Sequence, residues 1–270
     1  MPELSRSDGL PTHVVHGWLR TLWMLEDKES YDGIIAFFDL GAPAEREALL
    51  SDYKANRKET PPDLEQQVPW VKRLTQALGI PVIEREGVEA DDLIGAASVI
   101  LAKRGDEAVI VSADKDLGQV VGPGISQLLP PPTANPRLGW RLLDPDGVEK
   151  KFGIPPVKIP DYLALIGDSS DNIPGLSGVG PKTAVKWLLE YGDIESIIAN
   201  ANYIKPPRFQ QKVADQADDL RRNLKMVTLD LEQTVPALDS GTAPDIDSAV
   251  SILEELEMKT AARDCRRRYE

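Results

Sequence analysis

Residues 80–114, IPVIEREGVEADDLIGAASVILAKRGDEAVIVSAD, read as strand, helix and strand in succession. IPVIER is a short apolar strand. An apolar helical run starts at Asp91 and Asp92 and stops at Gly105, because glycine accepts the left-handed conformation that closes a helix. EAVIVSAD is a second buried strand that finishes on Asp114. The order strand, helix, strand is the building unit of a parallel sheet. Within it, Glu89, Asp91 and Asp92 crowd the mouth of the helix. Asp91 as an N-cap and Asp92 as a first-turn acid would be the plain structural account. A share in a metal site is the other.

Upstream, THVVHGWLRTLWMLEDKE places Val15, Trp18, Leu19, Leu22 and Leu25 at helical spacing. His13 and His16 lie in that run and read as structural or surface residues. GIIAFFD follows as a buried strand ending on Asp39. AEREALLSDYKANRK, residues 44–58, is charged and helix-prone until Pro61 and Pro62 interrupt it. LEQQVPWVKRLTQALG reads as one more helix, closed by Gly79. Strands thus alternate with helices, which predicts an α/β fold with a mostly parallel sheet flanked by helices over residues 1–147. Residues 122–147 hold six prolines and read as loop, with GWRLLD as an edge strand. Beyond them only helices are expected, so residues 148–270 form an all-helical second domain. Within it the run from Pro207 to about Met226 is the longest helix.

With 270 residues, 41% hydrophobic and 28% charged, the chain has material for a sizeable core. No apolar stretch approaches the roughly 20 residues of a membrane span, and no secretory signal opens the sequence. The single cysteine, Cys265, excludes an internal disulfide framework and a cysteine-built zinc site. A cytoplasmic, nucleoid-associated protein without a membrane partner is expected. The net charge of −13 argues against a nucleic-acid partner on its sum alone. It does not when the acids gather round cations and leave a local basic face.

The acids do gather. Asp39 and Asp114 end buried strands, Asp116 follows at once, and Asp168 and Asp171 in LIGDSSDNIPG follow an apolar helix. In open α/β sheets functional side chains sit beyond the C-terminal ends of strands. Asp116 and Asp171 also have a plain reading as turn residues. Taken together the acids favour a metal site, since so many carboxylates repel one another unless cations intervene. Oxygen ligands without histidine or thiolate suit Mg²⁺ or Mn²⁺. Such a cluster fits a pair of ions acting on a phosphodiester.

IPGLSGVGPKTAVKWLL adds a second signal. Gly175, Gly178 and Gly180 permit a tight hairpin between two helices, and Pro181 suits the first helical position. Lys182, Thr183 and Lys186 decorate the first turns of the helix, whose N-terminus is a ready phosphate site. A capped helical hairpin is the plain reading; a helix-hairpin-helix gripping DNA phosphates is the favoured one. Lys205, Arg208, Lys212, Arg221, Arg222 and Lys225 would extend that track or form solvated helix faces.

YKANRKETP, GIPVIEREGVEADDLIG, VIVSADKDLGQ, DYLALIGDSSDNIPGLSGVGPKTA and RRNLKMVTLDLEQTVP together resemble the bacterial 5′→3′ exonucleases of the flap endonuclease superfamily, including the N-terminal nuclease domain of bacterial DNA polymerase I. The resemblance runs from about residue 8 to residue 240 and implies a PIN-like nuclease core with a helical arch. It implies a structure-selective 5′→3′ exonuclease and 5′-flap endonuclease of primer removal and repair. Asp39, Glu89, Asp91, Asp92, Asp114, Asp116, Asp168 and Asp171 would be the metal ligands for two Mg²⁺ or Mn²⁺ ions. Tyr53, Lys54 and Arg57 would stand at the base of the arch, the two cations meeting the scissile phosphate. Arg46, Gly175, Gly178, Gly180, Lys182, Thr183 and Lys186 would bind DNA, with a K⁺ ion on the carbonyls of residues 175–180. The implied partners are DNA with a 5′ flap or a single-strand to duplex junction and a polymerase acting in trans, for a monomeric protein. The family pattern also opens with an L-L-x-I-D-G strand carrying a first metal aspartate. The sequence begins at MPEL without it, and Asp8 falls in the loop that follows the pattern. The expectation from that departure is weak or absent cleavage, with a DNA-binding member of impaired catalysis as the alternative function.

Overall fold

The computed structural model describes residues 4–28, 31–40, 43–236, 238 and 241–270. In chain order the elements are α1 (His13–Lys28), β1 (Ala36–Phe37), α2 (Ala44–Leu49), α3 (Pro62–Glu65), α4 (Val68–Ala77), β2 (Val82–Ile83) and α5 (Ala90–Arg104). Then come β3 (Ala108–Val111), β4 (Ile125–Leu129), β5 (Arg141–Leu143), α6 (Pro145–Phe152), α7 (Ile159–Ile166), β6 (Gly167–Asp168) and β7 (Ile173–Pro174). Six helices follow: α8 (Pro181–Tyr191), α9 (Ile194–Ala199), α10 (Gln210–Asp215), α11 (Ala217–Val227), α12 (Ile246–Glu255) and α13 (Lys259–Tyr269). None of the described helices is long and apolar enough to cross a membrane.

These elements form two compact units. The first gathers residues 1–38, 58–84 and 236–270. Its core joins Val15, Leu19 and Leu22 of α1 to Val71 and Leu74 of α4 and to Ala249, Val250 and Leu253 of α12. β1 and β2 pair in parallel, Ala36 opposite Val82 and Phe37 opposite Ile83. Residues 236–270 were expected in a helical second domain; α12 and α13 instead bury Leu253, Leu256, Ala262 and Cys265 in this core. Gly79 closes α4 as expected, with φ +76°. A Cβ there would come within 2.0 Å of the Thr242 carbonyl oxygen, so only glycine fits. The helix expected over residues 64–79 is broken between α3 and α4. Pro69 lies in the first turn of α4, where its missing N–H costs nothing, whereas a continuous helix would clash with it.

The second unit spans residues 39–57 and 85–235. α5 ends at Gly105 in the left-handed conformation, φ +89°, as the sequence predicts. β3 runs parallel to β4, and β5 pairs antiparallel to β4 as an edge strand. The expected parallel pairing is therefore present, divided between two short ladders. β4 falls in the proline-rich stretch read as loop. Its buried Ile125, Gln127 and Leu129 alternate with half-buried neighbours, and the polar Gln127 disguises the apolar face. Gln127 donates through its amide NH2 to the carbonyls of Ser112 and Asp114, while its own Oε1 is buried without a hydrogen-bond partner.

The helical part of this unit buries Leu163, Leu165, Trp187, Ile194 and Ile197 completely. Burying each such side chain contributes about 2–3 kcal/mol. Trp187 stacks edge-on against Phe209, with ring centroids 5.3 Å apart. The part is not helix alone: β6 and β7 form a short antiparallel hairpin after α7. Gly167 and Gly175 make that hairpin possible. A Cβ on Gly167 would lie 2.3 Å from the Gly175 nitrogen, and one on Gly175 would lie 2.2 Å from the Ile166 carbonyl carbon. The long helix expected from Pro207 is broken at Gln216, between α10 and α11.

Candidate metal centre and DNA-binding surface

Every expected metal ligand lies in the second unit. Asp39 sits beside the parallel bridge between Leu40 and Glu86. Its Oδ1 accepts from the Ala90 N–H at 2.8 Å. Asp39 thus does for α5 what Asp91 was expected to do. The N-cap position falls on Glu89, whose side chain makes no capping bond, and Asp91 and Asp92 lie in the first turn. Beyond β3, Asp114 accepts from the N–H of Asp116 at 2.9 Å, a local turn that presents both acids from one strand end. The β6–β7 hairpin carries Asp168 and Asp171. Asp168 Oδ1 takes the N–H and hydroxyl of Ser170 at 2.9 and 2.5 Å.

Among the described residues, Asp116, Asp168 and Asp171 each offer a carboxylate oxygen, and these lie within 4.8 Å of one another. Asp116 Oδ1 is buried without a hydrogen-bond partner. The Lys115 ammonium stands 3.5 Å from it and donates at 2.6 Å to Asp168. Burial pushes the Asp116 carboxyl up to about 7; Lys115 opposes this, while Asp114, Asp168 and Asp171 reinforce it. Asp91 is likewise pushed up to about 7 by burial, then by Asp114, Asp39 and Asp116. These couplings tie Asp39, Asp91 and Asp114 electrostatically to the triad. For Asp168, burial works upward, but Lys115 and Ser170 outweigh it and hold the carboxyl below its ordinary range. Lys115 is raised: burial opposes its charge, and the surrounding Asp116, Asp168 and Asp114 overcome that. A buried oxygen without a hydrogen bond among oxygen-only donors fits hard divalent cations.

Glu89 and Asp92 are engaged differently. Both carboxylates are met by the Arg46 guanidinium, the bonds to Asp92 being 2.7 and 2.8 Å. Glu89 also accepts from the Lys54 ammonium and, at 3.1 Å, from the Tyr53 hydroxyl. Arg57 donates to Asp171 at 2.6 Å, its side chain 51% exposed. Lys54 and Arg57 therefore flank the acids, but not on a helix. The helix predicted over residues 44–58 ends at Leu49, and the chain turns through residues 51–56 with Lys54 at φ +57°. Tertiary contacts override local propensity here: Tyr53 packs in the core and the Lys54 N–H donates to the Asp171 carbonyl. Burial lowers the Lys54 pKa, with Asp171 opposing and Arg57 assisting.

The hairpin glycines precede α8, whose N-cap is Gly180 without a side-chain cap. Lys182 and Lys186 are exposed one turn apart, and Thr183 is half-buried. Gly178 adopts φ +85°. Lys212 donates to the Ser177 carbonyl at 3.1 Å. Arg221 pairs with Glu195 and Asp218, and Arg222 with Asp219, so these two are held on the protein. Sequence reasoning passed over Lys115, Gln119 and Ser170. Lys115 between two aspartates reads as a solvated charge, and only the fold turns it toward Asp168.

Residues 1–153 match the family model described as 5′-3′ exonuclease, N-terminal resolvase-like domain, and residues 154–247 match 5′-3′ exonuclease, C-terminal SAM fold. A 5′-3′ exonuclease of Aquifex aeolicus is 37% identical over 268 residues, covering 98% of this chain and 89% of that protein. The thermostable DNA polymerase I of Thermus filiformis is 36% identical over 259 residues, 94% of this chain but only 30% of that protein. Among solved structures, T5 5′-exonuclease with bound zinc aligns with a TM-score of 0.69 at 21% identity, over 94% of this chain and 91% of that one. The catalytic core of Rad2 in complex with DNA aligns with a TM-score of 0.59 at 17% identity, over 93% and 81%. The structural likeness supports the PIN-like core with its helical domain, and the sequence matches show that the chain belongs to the 5′-3′ exonuclease family.

Proposed function

We propose that the chain is a structure-selective, metal-dependent 5′ nuclease. It hydrolyses DNA phosphodiesters as a 5′→3′ exonuclease and as an endonuclease at 5′ flaps, in primer removal and repair. The observation that carries this reading is the triad of Asp116, Asp168 and Asp171, with a buried Asp116 oxygen that accepts no hydrogen bond, flanked by Lys54 and Arg57. Asp39, Asp91 and Asp114 complete the set of acids that would hold two ions, with Mg²⁺ or Mn²⁺ favoured by the all-oxygen donors. Such ions supply Lewis acidity for activating water and for charge on the phosphate. Lys54 and Arg57 orient the scissile phosphate and stabilise charge developing on it. The Tyr53 hydroxyl lies 3.1 Å from Glu89 and 3.3 Å from Asp171, its single proton available to either, and so ties the turn of residues 51–56 to the acids.

The uncapped N-terminus of α8, with Lys182, Thr183 and Lys186, grips a duplex backbone near the junction without reading sequence. A K⁺ ion would sit on carbonyls within residues 175–180, of which that of Ser177 already accepts from Lys212. The protein would act as a monomer in the cytoplasm, on the nucleoid, with a polymerase in trans. A 5′-labelled flap duplex incubated with Mg²⁺ or Mn²⁺ tests this reading. Short labelled products that need the metal support it. Duplex binding without metal-dependent cleavage contradicts it.

A further inference from the structure

The guanidinium of Arg46 has five N–H donors, and all five are in use. Nε donates to the Met226 carbonyl at 3.1 Å. Nη1 donates to Glu89 and, at 2.7 Å, to Asp92 Oδ2. Nη2 donates to Asp92 Oδ1 at 2.8 Å and to the Thr228 carbonyl at 3.3 Å. The side chain is 11% exposed and that of Asp92 is 6% exposed. Asp92 Oδ1 takes a further bond from the N–H of Asp230 at 2.8 Å. Gln119 completes the arrangement, donating to the Val227 carbonyl at 3.1 Å and accepting from the Leu229 N–H at 3.0 Å. The same Gln119 amide also donates to the Asp116 carbonyl at 2.9 Å.

Three side chains therefore hold consecutive backbone groups of residues 226–230, the last two residues of α11 and the irregular segment that follows it. They come from α2, just ahead of the turn that holds Tyr53 and Lys54, from the first turn of α5, which holds Asp91, and from the turn after β3, which holds Asp116. Arg46 meanwhile holds Glu89, and Glu89 holds Lys54 and Tyr53. We propose that Arg46, Asp92 and Gln119 form a clasp on residues 226–230 that positions Glu89, Lys54 and Tyr53. Arg46 is then a positioning residue with no donor left for DNA. Asp92 has three of its roughly four lone-pair sites occupied and serves the clasp rather than the metal ions. This departs from the roles that the family resemblance gave both residues.

The turnover arm of the test rests on the nuclease reading; the other arms do not. Arg46→Lys keeps the charge and loses the planar fork. Gln119→Ala touches only backbone partners. Measured on folded protein well below its melting temperature, both substitutions lower kcat on a 5′-flap duplex by ~10-fold or more. The salt dependence of DNA binding and the Mn²⁺ dissociation constant stay those of the wild type. Asp92→Asn lowers the melting temperature in EDTA and leaves Mn²⁺ affinity within about 3-fold of wild type, where losing a ligand or its direct support costs ~10-fold or more. A DNA-contact role for Arg46 would instead appear in Arg46→Gln as a salt slope smaller by about one, with kcat retained. That result overturns the clasp, as does an Asp92→Asn protein that is folded, equally stable and ~10-fold weaker for Mn²⁺. A wild type without cleavage defeats the nuclease reading alone, because melting, salt slope and metal affinity still test the clasp.

Discussion

Lowering the pH from 8 to 6 should weaken divalent-cation binding about 10-fold for each proton displaced, on the ionisation arithmetic of groups near 7. Asp91 and Asp116 are both pushed up to about 7 by burial and by neighbouring aspartates. A carboxyl with that value is roughly 91% ionised at pH 8 and roughly 9% ionised at pH 6. If both must ionise to bind metal, the loss over this interval approaches ~100-fold. The stability of the chain in EDTA carries the same signature. Folded values above the unfolded 3.8 mean that the folded chain keeps protons that the unfolded chain releases. The stabilisation from these two groups is therefore present below about pH 4 and is lost as the pH rises through about 7. A three-unit displacement corresponds to about 4 kcal/mol for one group. Asp168, held low, works in the opposite direction: its contribution is present above the unfolded value and is lost as acid protonates it. Titration calorimetry with Mn²⁺ at pH 6, 7 and 8, in buffers of different ionisation enthalpy, reads affinity and proton release together. A dissociation constant that does not change over this range, with no proton released, would refute the reasoning.

Other perturbations separate the parts of the site. Asp116→Asn removes one of the three carboxylate charges of the triad while keeping its shape; Mn²⁺ affinity should fall by at least ~10-fold in calorimetry, and the EDTA-treated protein should become more stable at pH 8. Arg57→Gln should lower single-turnover cleavage by ~100-fold with flap-DNA affinity changed little, since its cation acts on charge that develops in the reaction. Lys182→Ala with Lys186→Ala should reduce duplex affinity evenly across sequences and lower the salt slope by about two, leaving Mn²⁺ binding intact. Gly167→Ala should cost upward of ~2 kcal/mol in a thermal melt, because its φ of +76° and a Cβ 2.3 Å from the Gly175 nitrogen leave no room.

Much of this was legible in the sequence because it depends on local pattern. The β2–α5–β3 run, the left-handed Gly105 and Gly79, and the acids at strand ends all follow from periodicity and from residue-specific backbone freedom. What stayed hidden depends on contacts far apart in the chain. Local propensity extends α2 through residue 58, but Tyr53 is drawn into the core and the Lys54 N–H is claimed by Asp171. β4 carries a buried glutamine whose amide NH2 finds its acceptors only in carbonyls 13 and 15 residues away, so no apolar alternation announces it. The acids at the mouth of α5 looked alike in sequence. In the fold, Asp91 faces other carboxylates, while Glu89 and Asp92 are bound to Arg46 from 43 and 46 residues upstream. Sequence spacing shows that acids converge; it does not show which of them are already neutralised by cations of the protein itself.

The central claim is that metal-dependent cleavage arises at Asp116, Asp168 and Asp171. The most direct measurement is single-turnover cleavage of a 5′-labelled flap duplex by the wild type and by Asp116→Asn, each titrated with Mg²⁺ and checked for unchanged DNA affinity. The account predicts cleavage at the junction or from the 5′ end in the wild type, dependent on Mg²⁺ and abolished by EDTA. It predicts a rate lower by ~100-fold or more in Asp116→Asn at any Mg²⁺ concentration. Equal rates and equal Mg²⁺ dependence in the two proteins would contradict it.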